Sequence, residues 1–325
     1  MADRDLRGRS LGWVGTGRMG FRLATRLLEA GCEVAVFNRT RAKAEPLAEL
    51  GATVVDSPAE LADREIVFTI VAGPEDFKEV VAGPAGLLSR PGTAPRIIVD
   101  STTVSPTASR EVRERAREAG AALLAAPVSG NPKVVAAGLL TFVVSGPEDA
   151  YREVEPYLDL LGQGATYVGN DEEARLAKVC HNLLLGVVAQ SLAEITVLAE
   201  KAGISRAALL EFINGSVMGS LFTRYKTPAY VKADFTPTFT PVLLRKDFDL
   251  GVELARDLGV PMPVATAAQQ VVQMLIGRGH TDDDFAALLE LQAEASGLEL
   301  RPEEGPVTDG LGPTEAGPVE ARTRT

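Results

Sequence analysis

Gly15-Thr16-Gly17-Arg18-Met19-Gly20 stands where an apolar run, residues 11–14, gives way to a helical pattern opening at about Arg18. That junction constrains the fold more than any other stretch of the chain. Glycines spaced G-x-G-x-x-G let the backbone turn sharply out of a strand, approach a ligand closely and enter a helix. A helix starting in such a turn aims its free N–H groups and the positive end of its dipole at the turn, which suits a pyrophosphate. A second apolar run, 33–37, completes a strand–helix–strand unit of about 30 residues, the length a dinucleotide site needs.

The alternation continues. Residues 52–55, 66–71, 97–100, 122–125 and 140–144 are further strand candidates, and 21–30 and 107–119 are helix-length stretches between strands. Apolar strands separated by helices predict an α/β unit, a doubly wound parallel sheet covered on both faces. After Gly169-Asn170-Asp171, which reads as a helix N-cap region, the strands stop. One long helix is expected over about 171–201, then helices over 205–214, 243–258, 265–277 and 282–295. The expected organisation is a nucleotide-binding domain over 1–168, an all-α domain over 169–298 and a tail over 299–325. The tail holds Pro302, Pro306, Pro313 and Pro318, repeated glycines and almost no large apolar residue, so disorder is expected there.

Composition narrows the function. Two domains fit a chain of 325 residues, because single cores stop growing at about 250–300. A net charge of −11 argues against a nucleic-acid partner bound through phosphate neutralisation. No charge-free apolar run reaches membrane-spanning length, so no membrane partner is expected. Met1-Ala2-Asp3-Arg4-Asp5 is too polar for a signal peptide, which makes a cytoplasmic location the expectation. Cys32, Cys180, His181 and His280 are too few for a disulfide framework or a metal cluster, and no metal is expected.

The second strand bears on which dinucleotide binds. An NAD site usually ends this strand in Asp or Glu, which takes the ribose hydroxyls. Here the chain reads Asn38-Arg39-Thr40. With no acid present, Arg39 and the Thr40 hydroxyl suit a 2′-phosphate, so NADPH is expected over NADH.

Three later stretches carry polar groups suited to a substrate. Ser101-Thr102-Thr103-Val104-Ser105-Pro106 follows a parallel strand, where loops face the ligand crevice. It reads equally as a Ser/Thr cap before Pro106, with Ser105 capping and Thr102 facing substrate. Pro127-Val128-Ser129-Gly130-Asn131 leaves a strand in a Ser-Gly turn whose hydroxyl and amides suit a carboxylate. On the long helix, Lys178 and Asn182 lie four apart, hence on one face, among apolar neighbours. Burial disfavours an ammonium and tunes such a lysine for proton exchange near neutrality. His181 falls to one side of that face. Phe239 and Arg245-Lys246-Asp247 precede a further amphipathic stretch and, taken alone, read as a solvated helix start.

Taken together and in order, these motifs resemble the β-hydroxyacid dehydrogenase family, which includes 3-hydroxyisobutyrate dehydrogenases and tartronate semialdehyde reductases. Asn38-Arg39-Thr40 and the stretch from Met218 through Lys226 to Phe239 are most similar to the glyoxylate/succinic semialdehyde reductase branch. The resemblance covers about 11–295. It implies a Rossmann domain joined by the long helix to an all-α domain, with the active site in the cleft between them. It implies hydride exchange between NADPH and a small carboxylate-bearing semialdehyde or keto acid, with the β-hydroxy acid as the reduced form. Lys178 is then the general acid/base and Asn182 its partner amide. Thr102, Ser129, Gly130, Asn131, Phe239 and Asp247 become substrate residues. Gly15, Thr16, Gly17, Arg18, Met19, Gly20, Asn38, Arg39, Thr40, Thr102 and Lys246 become cofactor residues.

Two departures bear on the substrate. Asn131 and Pro132 stand where the family usually has a second glycine, and Ala125 stands where it commonly has an acid. The resemblance also implies a homodimer or homotetramer built on the helical domain, which the apolar run 183–198 suits. Imine reductases resemble the first domain but usually lack the lysine. The 6-phosphogluconate dehydrogenases share the lysine-to-asparagine spacing in far longer chains. A non-catalytic NADPH-binding module is the alternative from outside enzymology.

Overall fold

The structure is a computed structural model and describes residues 6–312. The chain divides into two compact units, Met1–Cys180 and His181–Thr325. The first is built as β1 (Ser10–Val14), α1 (Arg18–Glu29), β2 (Glu33–Phe37), α2 (Glu45–Ala48), β3 (Thr53–Val54), β4 (Ile66–Thr69), α3 (Pro74–Ala82), β5 (Ile97–Asp100) and α4 (Pro106–Glu118). It continues through β6 (Ala122–Ala125), β7 (Val128–Ser129), α5 (Pro132–Ala136), β8 (Thr141–Ser145), α6 (Glu148–Leu161) and β9 (Ala165–Gly169).

The strands form one sheet in the order β3-β2-β1-β4-β5-β6-β8-β7, with β9 beside β8. From β3 to β6 every pairing is parallel, in the Rossmann order. The sheet is therefore doubly wound as expected, but one edge departs from the parallel rule. β8 pairs antiparallel with both β6 and β7. The stretch between β7 and β8 holds only the short helix α5, too little for the crossover that a parallel pair needs.

Alternation along each strand sorts side chains between two cores. Leu11, Trp13, Val34, Val36, Ile66, Phe68, Ile97 and Val99 face α1 and α6, which contribute Leu23, Leu27, Tyr157, Leu158 and Leu161. Val14, Ala35, Val67, Ile98 and Leu123 point the other way, toward Phe77 and Val81 of α3 and Val112 and Ala116 of α4. Trp13 and Phe68 stack at 5.4 Å. Each fully buried Leu or Phe here contributes about 1.5–3 kcal/mol.

The second unit is helical. Helix α7 (Glu173–Lys201) spans the division between the units; α8 (Arg206–Gly215), α9 (Leu221–Lys232), α10 (Pro241–Asp257), α11 (Pro263–Gly277) and α12 (Leu288–Ala295) follow. Within this unit α7 and α10 pack through reciprocal gaps. A Cβ on Gly186 would lie 2.4 Å from the Phe248 ring, and one on Gly251 would lie 2.6 Å from Leu183. By length and composition α7 is long and apolar enough to cross a membrane, although charged residues interrupt it. Half of its most apolar window is buried inside the protein, as in a helix packed into a core.

The tail does not behave as its composition suggested. Residues 299–312 form no helix or strand, yet residues 301–305 are strapped to the helical unit. Glu303 accepts from the backbone N–H of Arg206 at 2.7 Å and of Ala207 at 3.0 Å, capping α8. The fully buried Arg206 guanidinium donates to the carbonyls of Arg301 and Val231. Lys232 Nζ donates to the carbonyl of Glu303 at 2.8 Å and that of Gly305 at 2.6 Å. Polar bonds, which a count of apolar residues does not see, hold this segment. The rest of the expected tail, 313–325, lies outside the described residues.

Candidate functional site

The glycine turn is built for close approach. Gly15 adopts φ +96°, and a Cβ there would sit 2.1 Å from the Ile70 carbonyl oxygen. A Cβ on Gly20 would sit 1.9 Å from the carbonyl oxygen of Gly15. Gly17, in contrast, has no heavy atom within 4 Å of a Cβ position and faces open space. Asn38 locks the turn to the end of β2. Its Oδ1 accepts from Thr16 N at 2.9 Å, and its Nδ2 donates to the Thr40 carbonyl at 2.9 Å.

These residues fit a dinucleotide. The Thr16 Oγ1 is buried with no hydrogen-bond partner, and no side chain caps the N-terminus of α1. A pyrophosphate would satisfy both. Arg18 is exposed on the first turn of α1, while Met19 packs into the core beneath it. Arg39 extends from the end of β2 with its side chain 82% exposed and pairs at 2.5 Å with Asp76, in the first turn of α3. No carboxylate from β2 itself occupies the ribose position. Thr40 opens a short 3-10 turn without using its hydroxyl as a cap.

Thr102, expected to face substrate, lies just beyond β5. It is buried; its hydroxyl donates to Asp100 Oδ1 at 2.7 Å and accepts from Val71 N at 3.1 Å. Thr103, half-buried beside it, is the more accessible of the two threonines. Ser105 accepts from Ala108 N and caps α4, so the cap reading holds for that residue.

In the next turn Ser129 closes β7 and Gly130 adopts φ +139°. A Cβ at Gly130 would lie 2.8 Å from both Leu140 and Val134, so glycine is required. Asn131 was expected beside a substrate carboxylate. Its Oδ1 accepts from Lys133 N at 2.9 Å and Val134 N at 3.1 Å, which makes it the N-cap of α5 ahead of Pro132.

On α7, Lys178 is half-buried in the first unit, and Asn182 follows one turn later, in the second. Asn182 Nδ2 donates to Asp247 Oδ2 of α10 at 2.6 Å. Its Oδ1 lies 2.9 Å from His181 Nδ1, which must carry the proton because an amide oxygen only accepts. The amide is thus fixed at both ends, and His181 steadies Asn182. Lys246, half-buried, precedes Asp247 on α10.

Phe239 lies just before α10, held by a buried ion pair that sequence reasoning missed. Lys226 Nζ bonds Asp284 Oδ1, donates to Thr238 Oγ1 at 3.2 Å and sits 4.2 Å from the centre of the Phe285 ring. Asp284 Oδ2 accepts from Thr238 N at 2.9 Å, Thr238 Oγ1 at 2.6 Å and Phe239 N at 3.3 Å. Phe239 stands edge-on to Phe285 at 5.9 Å. Burial pushes the Asp284 carboxyl up, but the charge of Lys226 and hydrogen bonds from Lys226, Thr238 and Ala286 outweigh it. The net shift is downward.

A carboxyl held down in the folded state stabilises fully above about 3.9, its ordinary value. That contribution is lost as pH falls through the lower folded value. Asp284→Asn is therefore expected to lower Tm at neutral pH, with the gap to wild type narrowing as pH falls below the ordinary carboxyl value. Thermal melts from neutral pH down into the acid range check this, and a constant gap would defeat it.

Asp76, Asp100, Arg175 and Asp284 are the partners that motif reading passed over, Lys226 having been marked only as part of a family-like stretch. Only Asp100 left a signal, an acid ending the apolar run Ile97–Asp100.

A sheet of this order with a glycine turn feeding α1 defines a dinucleotide-binding domain of Rossmann type, here followed by a helical unit. The NAD binding domain of 6-phosphogluconate dehydrogenase matches residues 10–169, and the NAD-binding domain of NADP-dependent 3-hydroxyisobutyrate dehydrogenase matches 173–292. The chain is 31% identical to glyoxylate/succinic semialdehyde reductase 2 of Arabidopsis thaliana, over 89% of this chain and 81% of that protein. It is 30% identical to 2-(hydroxymethyl)glutarate dehydrogenase of Eubacterium barkeri, over 89% and 97%. The Mycobacterium tuberculosis 3-hydroxyisobutyrate dehydrogenase, solved with L-serine, superposes with a TM-score of 0.74 at 30% identity, over 87% and 98%. The chain belongs to the β-hydroxyacid dehydrogenase family and is an NAD(P)-dependent oxidoreductase acting on hydroxy acids.

Proposed function

We propose that this enzyme uses NADPH to reduce a small carboxylate-bearing semialdehyde or keto acid to its β-hydroxy acid. The observation that carries the reaction is α7, with Lys178 and Asn182 one turn apart and the Asn182 amide locked by Asp247. When bound, the nicotinamide supplies the hydride that adds to the carbonyl carbon. Negative charge then builds on the carbonyl oxygen. The Lys178 ammonium stabilises that charge and gives up its proton to the oxygen, leaving a neutral amine and an alcohol. In the oxidative direction neutral Lys178 takes the proton back. Asn182 orients the reacting groups, and Ser129 with the Gly130 turn receives the carboxylate.

Arg39 supports the NADPH preference, since its exposed guanidinium needs only to leave the half-buried Asp76 to meet a 2′-phosphate. The test follows NADPH and NADH oxidation by absorbance against glyoxylate, succinic semialdehyde, methylmalonate semialdehyde and tartronate semialdehyde. Turnover with NADPH favoured is expected. Arg39→Ala is expected to weaken NADPH about 10- to 100-fold, with NADH little changed. Equal use of both dinucleotides would defeat the preference. NADPH binding without turnover of any semialdehyde would move the reading to imines or to a non-catalytic binding module.

Self-association of the helical unit belongs to the same proposal. Leu184 and Leu198 of α7 and Phe212 of α8 are exposed apolar residues in that unit. A homodimer or larger is expected, and a light-scattering mass near 34.3 kDa at micromolar concentration would refute it.

A further inference from the structure

The first unit holds a buried charged network with no part in the steps above. Arg175, on α7, is 1% exposed, and Asp100, ending β5, is 0% exposed. Arg175 donates to Asp100 Oδ2, to the carbonyl oxygen of Thr102 and, at 3.3 Å, to Ser109 Oγ of α4. Its guanidinium also lies 5.8 Å from the centre of the Phe77 ring of α3. The other oxygen of Asp100 accepts from Thr69 Oγ1 at 2.6 Å and Thr102 Oγ1 at 2.7 Å. The ends of β4 and β5, the loop that carries Thr103, and α7 therefore meet at one ion pair. Glu172 stands 4.0 Å from Arg175 and takes Arg113 at 2.7 Å.

Such a pair is weak evidence for stability, since apolar residues of like volume often serve a core as well. What a guanidinium adds is direction: a planar fork of donors satisfied by a buried carboxylate, a backbone carbonyl and a hydroxyl, from β5, the loop after it and α4, sets the rotation of its helix. Lys178 lies three residues beyond Arg175, on the neighbouring turn of the same side of α7. We propose that Arg175 and Asp100 are positioning residues that fix the rotation of α7, and with it Lys178, against the Thr103 loop. The proposal rests on the reading of Lys178 as the proton donor.

The test compares full-length wild type, Lys178→Ala, Arg175→Lys and the double variant Asp100→Asn with Arg175→Met. Each is measured for kcat and KM with the semialdehyde that the wild type turns over, for NADPH Kd by fluorescence, and for Tm. The double variant removes the charge pair as a unit. It is expected to bind NADPH within about threefold of wild type and to keep its Tm within a few degrees, while kcat falls about 10- to 100-fold. Arg175→Lys keeps the buried cation but lacks the fork, and is expected to lose kcat without losing NADPH affinity. It decides the matter if the double variant does not fold.

A kcat within about threefold of wild type in either folded variant overturns the proposal. So does a proportionate fall of kcat, NADPH affinity and Tm, which marks a structural role alone. Wild-type turnover in Lys178→Ala would remove the reading of Lys178, and this inference with it. Loss of turnover in Lys178→Ala with normal Arg175 variants would remove the inference only.

Discussion

Lys178→Ala is expected to cut kcat by about 100- to 10,000-fold, the usual range for a positioned general acid, while NADPH binds as in the wild type. At about 1.4 kcal/mol per tenfold, that is roughly 3–5.5 kcal/mol of lost transition-state stabilisation. The separation of effects follows from place. Lys178 sits on α7, whereas the glycine turn, Asn38 and Arg39 lie on β1, α1 and β2. Lys178→Arg is the sharper control, because a guanidinium keeps the charge but does not release a proton near neutral pH. It is expected to fail nearly as badly as alanine. Steady-state kinetics with NADPH titrated by fluorescence decides the case, and an arginine variant with near wild-type kcat would mean that charge alone suffices.

The second large effect separates two glycines of one motif. Gly20→Ala places a methyl group 1.9 Å from the Gly15 carbonyl, and backbone cannot yield as a side-chain tip can. Overpacking of this kind costs about 1–3 kcal/mol, and occasionally more. A lower Tm and loss of NADPH binding are expected together. Gly17→Ala places its methyl in open space, with nothing within 4 Å. That variant is expected to melt with the wild type yet bind NADPH about tenfold or more weakly, because the methyl stands where the pyrophosphate must approach. Melting curves beside binding isotherms test both. If Gly17→Ala bound NADPH normally, the phosphate would lie elsewhere than on this turn.

Much of the first unit was legible because local pattern and tertiary role agree there. The runs at 33–37, 97–100 and 122–125 are strands at those bounds, since a buried parallel strand is apolar along its whole length. β7 and β9 escaped notice as short or edge strands, where exposed residues break the apolar run. α9 was hidden by Pro228 within it, which reads as a stop signal. The glycine turn was readable because steric need dictates its residues. The protein partners of Thr102 and Asn131 were not legible, because a hydroxyl or carboxamide serves backbone or ligand equally well. Which one it serves depends on neighbours distant in sequence, here Asp100 with Val71 and the N-terminus of α5. Paired charges such as Lys226 with Asp284 lie far apart along the chain and carry no local periodicity.

The strap at residues 301–305 gives the helical unit an unusual seam. Its departure would free the N–H groups of Arg206 and Ala207, with Ser205 still capping α8, and would strip the Arg301 carbonyl and the Glu303 carboxylate from the Arg206 guanidinium, which keeps Glu200 and the Val231 carbonyl. Strap and first turn of α8 therefore open as one cooperative unit, rather than as a fraying end beside a stable helix. In amide exchange, the N–H groups of Arg206, Ala207 and Glu303 would share one opening free energy. Proteolysis within the strap would then register at a helix nearly a hundred residues upstream in sequence.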